Sequence, residues 1–395
     1  MFGGFLMEHF PLTQLRRWPD WESNNLFASD AADRLILDNA KQKIADNPAG
    51  TVLTVEDSYG ALALGAHALG ARSIRSIQDS AIAEAALKAN ARRLFQVGSL
   101  EELGIAHCGW TPSAFDGVDL ILMRVPKDLG LLRMIAELAA RFASPHVTVI
   151  AGAMTKHLPA RATDSFHASF ASVSRSLAER KARVILALQP IRHEGDWHLP
   201  FVDEVDPDLH MTVSSLPGVF SHASVDIGTR FLISQLTSDN LPDSVNLAVD
   251  LGCGSGLLTS HLLKVLPHAS VVATDISSLA TLSTERTIAM NGPYTSQMDE
   301  AKRYTVRRDM GLSRQEDASV DLIVCNPPFH SGHAVNPHAA RSLFVDAART
   351  LKPGGTLITV FNSHLPHKRT LERIVGPTTQ IARNHKFTVT RTLRI

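Results

Sequence analysis

Only three cysteines occur in the chain, Cys108, Cys253 and Cys325. They are far apart and odd in number, which argues against a disulfide framework, and their spacing is not that of metal ligands. A reducing compartment, the cytoplasm, is the simplest expectation. The 18 histidines are scattered and form no HExxH or similar pair, so no metal site is expected. No apolar run approaches the roughly 18 residues of a membrane span. The opening MFGGFLMEHF is apolar, but it lacks a basic leader and is short for a signal peptide. An excess of one charge is missing too: Lys plus Arg and Asp plus Glu are 39 each. The composition therefore does not announce a nucleic-acid binder, although a local basic patch would be sufficient for one.

What is present is core-forming sequence. The 395 residues are 44% hydrophobic, enough for two or three domains. In the C-terminal half, NLAVDLGCGSGLLTSHLLKVLP predicts strand, glycine-rich turn and helix. ASVVATDIS predicts a strand ending in Asp275, and SSLATLSTERTIAMNG a helix closed by Gly292. SVDLIVCNPPF is a further strand, AARSLFVDAARTLKPGG a helix stopped by Pro353, and GTLITVFN another strand. Strands alternating with helices predict an open parallel α/β sheet with helices on both faces.

The N-terminal half repeats that order. GTVLTVEDSYGALALGAHALG is strand, turn and helix, and ARSIRSIQDS a strand ending in Asp79. GVDLILMRVPK stands against SVDLIVCNPPF. This predicts two copies of one fold, with the join near residues 195 to 215, hence domains 1–200 and 201–395. The copies differ where chemistry would sit: DLGCGSG becomes EDSYGALA and NPPF becomes VPK. The first copy is expected to fold without catalysing, as a recognition unit or a scaffold.

In VDLGCGSG, Gly252, Gly254 and Gly256 would let a ligand approach the backbone at the end of a strand. The spacing differs from the G-x-G-x-x-G of dinucleotide sites. Asp250, directly before the loop, disfavours a phosphate and favours a cation. Asp275 lies where a carboxylate accepts from ribose hydroxyls, about 20 residues further on. Asp309 in VRRDMG could accept the exocyclic amine of adenine. A ribose, a positive charge and no phosphate fit S-adenosylmethionine. The plainer alternatives are a tight turn, a helix N-cap for Asp275 and an ordinary loop aspartate for Asp309.

Asn326, Pro327, Pro328 and Phe329 suit nitrogen chemistry. The lone pair of an exocyclic base amine is delocalised, so the amine is a poor nucleophile. Accepting hydrogen bonds from both its N–H groups frees that pair. The Asn326 side-chain oxygen is one acceptor and the Pro327 carbonyl the other, held by the stiff Pro-Pro backbone. Phe329 can stack on a planar ring, a contact worth roughly 1–3 kcal/mol. The plainer alternative is a strand-ending turn with a packed phenylalanine. His330 and His333 are read as structural hydrogen-bonders, and Cys253 and Cys325 as small apolar fillers.

At these residues the chain resembles class I, S-adenosylmethionine-dependent methyltransferases, and within them the bacterial ribosomal RNA guanine-N2 methyltransferases. PGVFSHASVDIGTRFL, NPPFHSGHA, ARTLKPGGTL and HKFTVTRTLRI carry the likeness. VPKDLGLLRMIAELA and VTVIAGAMTKHL are more similar to the large-subunit type than to the small-subunit one. The resemblance implies two tandem Rossmann-like domains, the first degenerate. It implies catalysis by Asn326 to Phe329. It also implies cofactor binding by Phe220, Asp226, Gly228, Asp250, Gly252, Gly254, Gly256, Asp275, Asp309 and Asn326, with residues 220–228 as a lid. The implied partner is ribosomal RNA, 23S rather than 16S, and a monomer is the simplest assembly. One departure is FSH where the family has FSR, placing His222 at the arginine. Arg16, Arg17, Lys127, Arg307 and Arg308 are candidates for RNA contact.

Three other substrates suit the same tetrad: a guanine of small-subunit ribosomal RNA, adenine N6 in DNA and the glutamine amide of a release factor. A different class is a non-catalytic RNA-binding assembly factor. Calorimetry with S-adenosylhomocysteine separates that class from an enzyme.

Overall fold

The computed structural model describes residues 10–220, 225–294, 303–328 and 337–395. The chain divides into two compact units, one ending at His198 and the other beginning at Leu199.

The first unit carries strands β1 (Thr51–Val55), β2 (Ser73–Ile77), β3 (Ile105–Cys108), β4 (Val118–Arg124), β5 (Thr148–Met154), β6 (Phe170–Arg175) and β7 (Ala182–Pro190). Its helices are α1 (Ala31–Asp46), α2 (Ala61–Ala68), α3 (Ala81–Phe95), α4 (Pro112–Phe115), α5 (Leu129–Phe142) and α6 (Asp164–His167). The sheet order is β3-β2-β1-β4-β5-β7-β6. β1 to β5 pair in parallel, and β7 runs antiparallel to both β5 and β6.

The second unit opens on a hairpin, β8 (Val202–Asp206) and β9 (Met211–Ser215), and on α7 (Ile227–Ile233). β10 (Leu247–Leu251), β11 (Ser270–Asp275), β12 (Tyr304–Arg308), β13 (Val320–Cys325), β14 (Leu351–Asn362), β15 (Thr378–Arg383) and β16 (Phe387–Leu393) follow. The helices are α8 (Leu257–Val265), α9 (Ser278–Asn291), α10 (Pro337–Thr350) and α11 (His367–Ile374). Their strand order, β12-β11-β10-β13-β14-β16-β15, repeats that of the first unit position for position.

β13 shows why VDLIVC is a strand covered on both faces. Leu322 and Val324 join one apolar cluster with Leu258 and Leu262 of α8; Ile323 and Cys325 join another with Phe344 of α10. Alternate side chains point to opposite faces, so a sheet clothed by helices on both sides requires an unbroken apolar run. α10 stops at Thr350, before Pro353. The strand order reverses between β10 and β13, which opens a crevice at their carboxyl ends. Leu251 stands beside Cys325 in the ladder, so the glycine loop and Asn326 leave the sheet as neighbours.

Candidate active site

The loop after β10 turns on three glycines with left-handed φ, +85° at Gly252, +53° at Gly254 and +83° at Gly256. They are not equivalent. A Cβ at Gly256 would stand 2.6 Å from the Thr284 Cα, so this glycine lets α8 and α9 approach. A Cβ at Gly252 or Gly254 would meet nothing within 4 Å. Those two face open space, where a ligand can reach the backbone.

Asp275 ends β11 and closes this loop. Its Oδ2 accepts the Gly254 N–H at 3.0 Å and its Oδ1 the Ser277 N–H at 2.9 Å. α9 is capped by Ser277, whose hydroxyl accepts the Ala280 N–H at 3.0 Å. The helix-capping alternative for Asp275 therefore falls away. Asp309 follows β12, and its N–H donates to the Asp275 carbonyl at 2.8 Å. Its carboxylate takes the Ser313 hydroxyl and, at 3.1 Å, the Arg314 N–H. It thus closes its own loop while standing beside Asp275.

Asp250 lies inside the fold, fully buried, with Oδ2 accepting the Thr259 hydroxyl at 2.6 Å. Its Oδ1 is buried with no partner. Burial, with a smaller contribution from the Asp275 charge, pushes its carboxyl up to about 7. A neighbouring cation would favour the ionised form.

Asn326 follows β13 directly. Its Nδ2 donates to Asp226 Oδ2 at 3.1 Å and to Thr229 Oγ1 at 2.9 Å. Its Oδ1 is buried and has no partner. Pro327 is buried and Pro328 exposed. Asp226 caps α7, accepting the Thr229 N–H at 2.8 Å. Gly228 is buried; a Cβ there would stand 2.9 Å from Asp226 Oδ2 and 3.1 Å from the Phe387 ring. Within the protein, Asp226 and Gly228 contact Asn326, α7 and Phe387. Phe220 is 64% exposed. Phe329, His330, His333 and His222 lie outside the described residues. Thr229 and Thr259 were not singled out from sequence; the signal for Thr229 was Asp226 three residues before it, an N-cap spacing. Cys253 and Cys325 are buried, and burial pushes both thiols up.

The same corner of the first unit has the same backbone and different chemistry. Glu56, Ser58 and Gly60 have φ of +56°, +59° and +89° and follow the contour of the three glycines. The counterpart of Asp275 is Gln78, not Asp79: Gln78 Oε1 accepts the Ser58 N–H at 3.3 Å, as Asp275 accepts that of Gly254. The sequence match is thus TVEDSYG against DLGCGSG, which puts Thr54 at Asp250. Arg124 stands where Asn326 stands, since Met123 pairs with Val55 as Cys325 pairs with Leu251. Its guanidinium is held by Asp30 at 2.6 Å and Asp33 at 2.9 Å. Asp30 caps α1 as Asp226 caps α7.

A sheet of this order, with a glycine loop after its central strand and an Asn-Pro-Pro turn beside it, is the fold of class I methyltransferases that use S-adenosylmethionine, and the second unit is one of them. The first unit is a degenerate copy. The family described as the methyltransferase small domain matches residues 210–391, and the RLMG N-terminal domain matches residues 6–191. A ribosomal RNA large subunit methyltransferase G of Klebsiella pneumoniae (strain 342) is 32% identical over 391 residues, 99% of this chain and 96% of the relative. A protein of the same name from Yersinia pestis (strain Pestoides F) is 31% identical, over 96% and 92% of the two chains. The chain belongs to this ribosomal RNA large subunit methyltransferase G family. A solved structure of the T. thermophilus 16S rRNA N2 methyltransferase RsmC, in complex with AdoMet and guanosine, shares the fold. Its TM-score is 0.71 at 23% identity, covering 93% of this chain and 92% of that one.

Proposed function

We propose that the chain transfers a methyl group from S-adenosylmethionine to the exocyclic N2 amine of a guanine in ribosomal RNA of the large subunit, the 23S RNA, in the cytoplasm. The observation that carries this reading is the Asn326 amide: both its hydrogens are engaged, and its oxygen is a buried acceptor without a partner, beside the glycine loop.

The residues present fit the cofactor. Gly252 and Gly254 border open space, and Asp250 Oδ1 is a buried acceptor without a partner of its own. When bound, S-adenosylmethionine supplies an already activated methyl sulfonium. Asp275 would hold the ribose hydroxyls, and Asp309 the adenine amine. Asn326 Oδ1 accepts one N–H of the target amine and the Pro327 carbonyl the other, turning the nitrogen lone pair outward. Phe329 is assigned to base stacking on its place in the sequence. No strong base is needed, since water takes the proton after transfer. The protein's share is orientation and exclusion of water.

The first unit is assigned a non-catalytic role in RNA recognition, with exposed Lys127 placed to meet a phosphate. Arg124 offers donors only, so the side chain at the place of Asn326 cannot accept from an amine.

Mapping of methylated guanines in ribosomal RNA tests the reading. Cells lacking the protein should lose one N2-methylguanine from 23S RNA, and purified protein should restore it. An unchanged set of modified guanines would remove the substrate assignment. Asp275→Ala should weaken S-adenosylhomocysteine binding by about 1.5–3 kcal/mol, the range for hydrogen bonds to a charged group. Calorimetry reads this directly. An unchanged Kd with a lowered Tm would leave Asp275 only the loop closure.

A further inference from the structure

We infer that Asp226 and Thr229 are positioning residues that fix which end of the Asn326 amide meets the substrate; this rests on the reading of Asn326 as acceptor for the target amine. An amide has an acceptor end and a donor end of nearly equal size. Turned the wrong way, Asn326 would present N–H groups to an N–H group.

Asp226 prevents that turn. Its carboxylate accepts only, and Oδ2 takes the Asn326 Nδ2 at 3.1 Å. The Thr229 hydroxyl gives its proton to the same oxygen at 3.4 Å, which leaves a lone pair for Nδ2 at 2.9 Å. Both amide hydrogens are thereby engaged. A flipped amide would set Oδ1 against a carboxylate and leave two N–H groups in the place of the acceptor. Gly228 belongs to the device, because a side chain there would press on Asp226 Oδ2 at 2.9 Å.

The first unit carries the same joint with another side chain in it. Asp30 caps α1, Asp33 stands three residues on, and both hold Arg124 at the position of Asn326. A helix cap needs only one acceptor for one or two backbone N–H groups. In both units it instead grips the first polar side chain after, or at the end of, the fourth strand of the seven-stranded sheet.

Asp226→Ser tests this, because serine caps a helix about as well as aspartate but stops short of the amide. Single-turnover methyl transfer should fall about 10- to 100-fold, as a misplaced reacting group does. S-adenosylhomocysteine Kd should stay within about threefold, since the glycine loop and Asp275 are untouched. Asp226→Asn can keep an acceptor oxygen in place and should regain most of the rate. A second readout is independent of activity. The Asn326 side-chain amide protons, identified in 15N spectra by their loss in Asn326→Ala, should exchange with solvent at least about tenfold faster in Asp226→Ser. A cap and nothing more predicts wild-type rate and wild-type exchange in Asp226→Ser, and that result overturns the inference. If the wild-type protein transfers no methyl group to guanine, the functional reading falls, and amide exchange still decides the positioning role.

Discussion

Asn326→Ala should slow methyl transfer by about a hundredfold to a thousandfold, the loss typical when one preorganised hydrogen-bonding group is removed from a reacting centre. The target nitrogen then lacks the acceptor that turns its lone pair toward the methyl group. Cofactor binding should stay within a few-fold, because the glycine loop and Asp275 do not depend on the amide. The variant should also melt slightly earlier, since Asp226 and Thr229 lose their donor. Rates are therefore compared well below Tm, beside calorimetry with S-adenosylhomocysteine. Equal losses of turnover and of cofactor affinity would mean that Asn326 serves the cofactor. A near-normal rate would remove the Asn-Pro-Pro turn from the mechanism.

Much of this site was legible because its residues lie in short, self-contained stretches. VDLGCGSG combines a buried strand with a left-handed turn, and VDLIVCNPP combines a strand with an unavoidable stop. Their pairing at the switch point follows from alternating strands and helices. The duplication was legible for the same reason, since apolar strands keep their pattern after their chemistry is gone.

Other parts were not legible, for physical reasons. Asp250 precedes the loop in sequence, but its place on β10 turns the side chain inward, where Thr259 of α8 receives it. The partners Asp226 and Asn326 are 100 residues apart, and no local pattern joins them. The register of the first unit's loop was hidden because Glu56 and Ser58 replace glycines at positive φ, a conformation that ordinary residues adopt at a cost of roughly 1–2 kcal/mol. The hairpin strand VDEVD has one buried residue of five, so it shows no apolar alternation. The antiparallel pair β15–β16 escaped reading as well, because TTQIAR is largely exposed and its partner Phe387–Leu393 is the covered one.

Arg124→Ala should destabilise the first unit by about 2–4 kcal/mol at pH 7. Breaking a buried ion pair by removing one partner costs roughly 3–5 kcal/mol, and the Asp30 side chain, 37% exposed, is partly screened. Burial pushes Asp30 up, but the Arg124 hydrogen bond and charge outweigh it and hold this carboxyl below its usual range. Asp33 is more deeply buried, and burial raises it in spite of Arg124. Both carboxylates also work for α1: Asp30 accepts the Ala32 N–H at 2.8 Å, and Asp33 accepts the Asp30 N–H at 2.7 Å. Without the guanidinium, Asp30 loses the contact and the charge that lower it, and Asp33, already raised by burial, rises further. A raised group contributes stability that is present below the unfolded pKa and lost as pH rises through the folded one. The wild-type contribution of Asp30, whose pKa is lowered, is lost in the opposite direction, as pH falls. The gap between variant and wild type should therefore be full at pH 7 and shrink toward about pH 4, near the ordinary aspartate value. Urea unfolding at both pH values measures it. Asp33→Asn in the Arg124→Ala background should recover part of the loss at pH 7, because it removes one of the two stranded charges. A deficit that is equal at both pH values and indifferent to Asp33→Asn would mean that Arg124 contributes packing alone, and that the joint it shares with Asp30 and Asp33 carries no charge pairing of consequence.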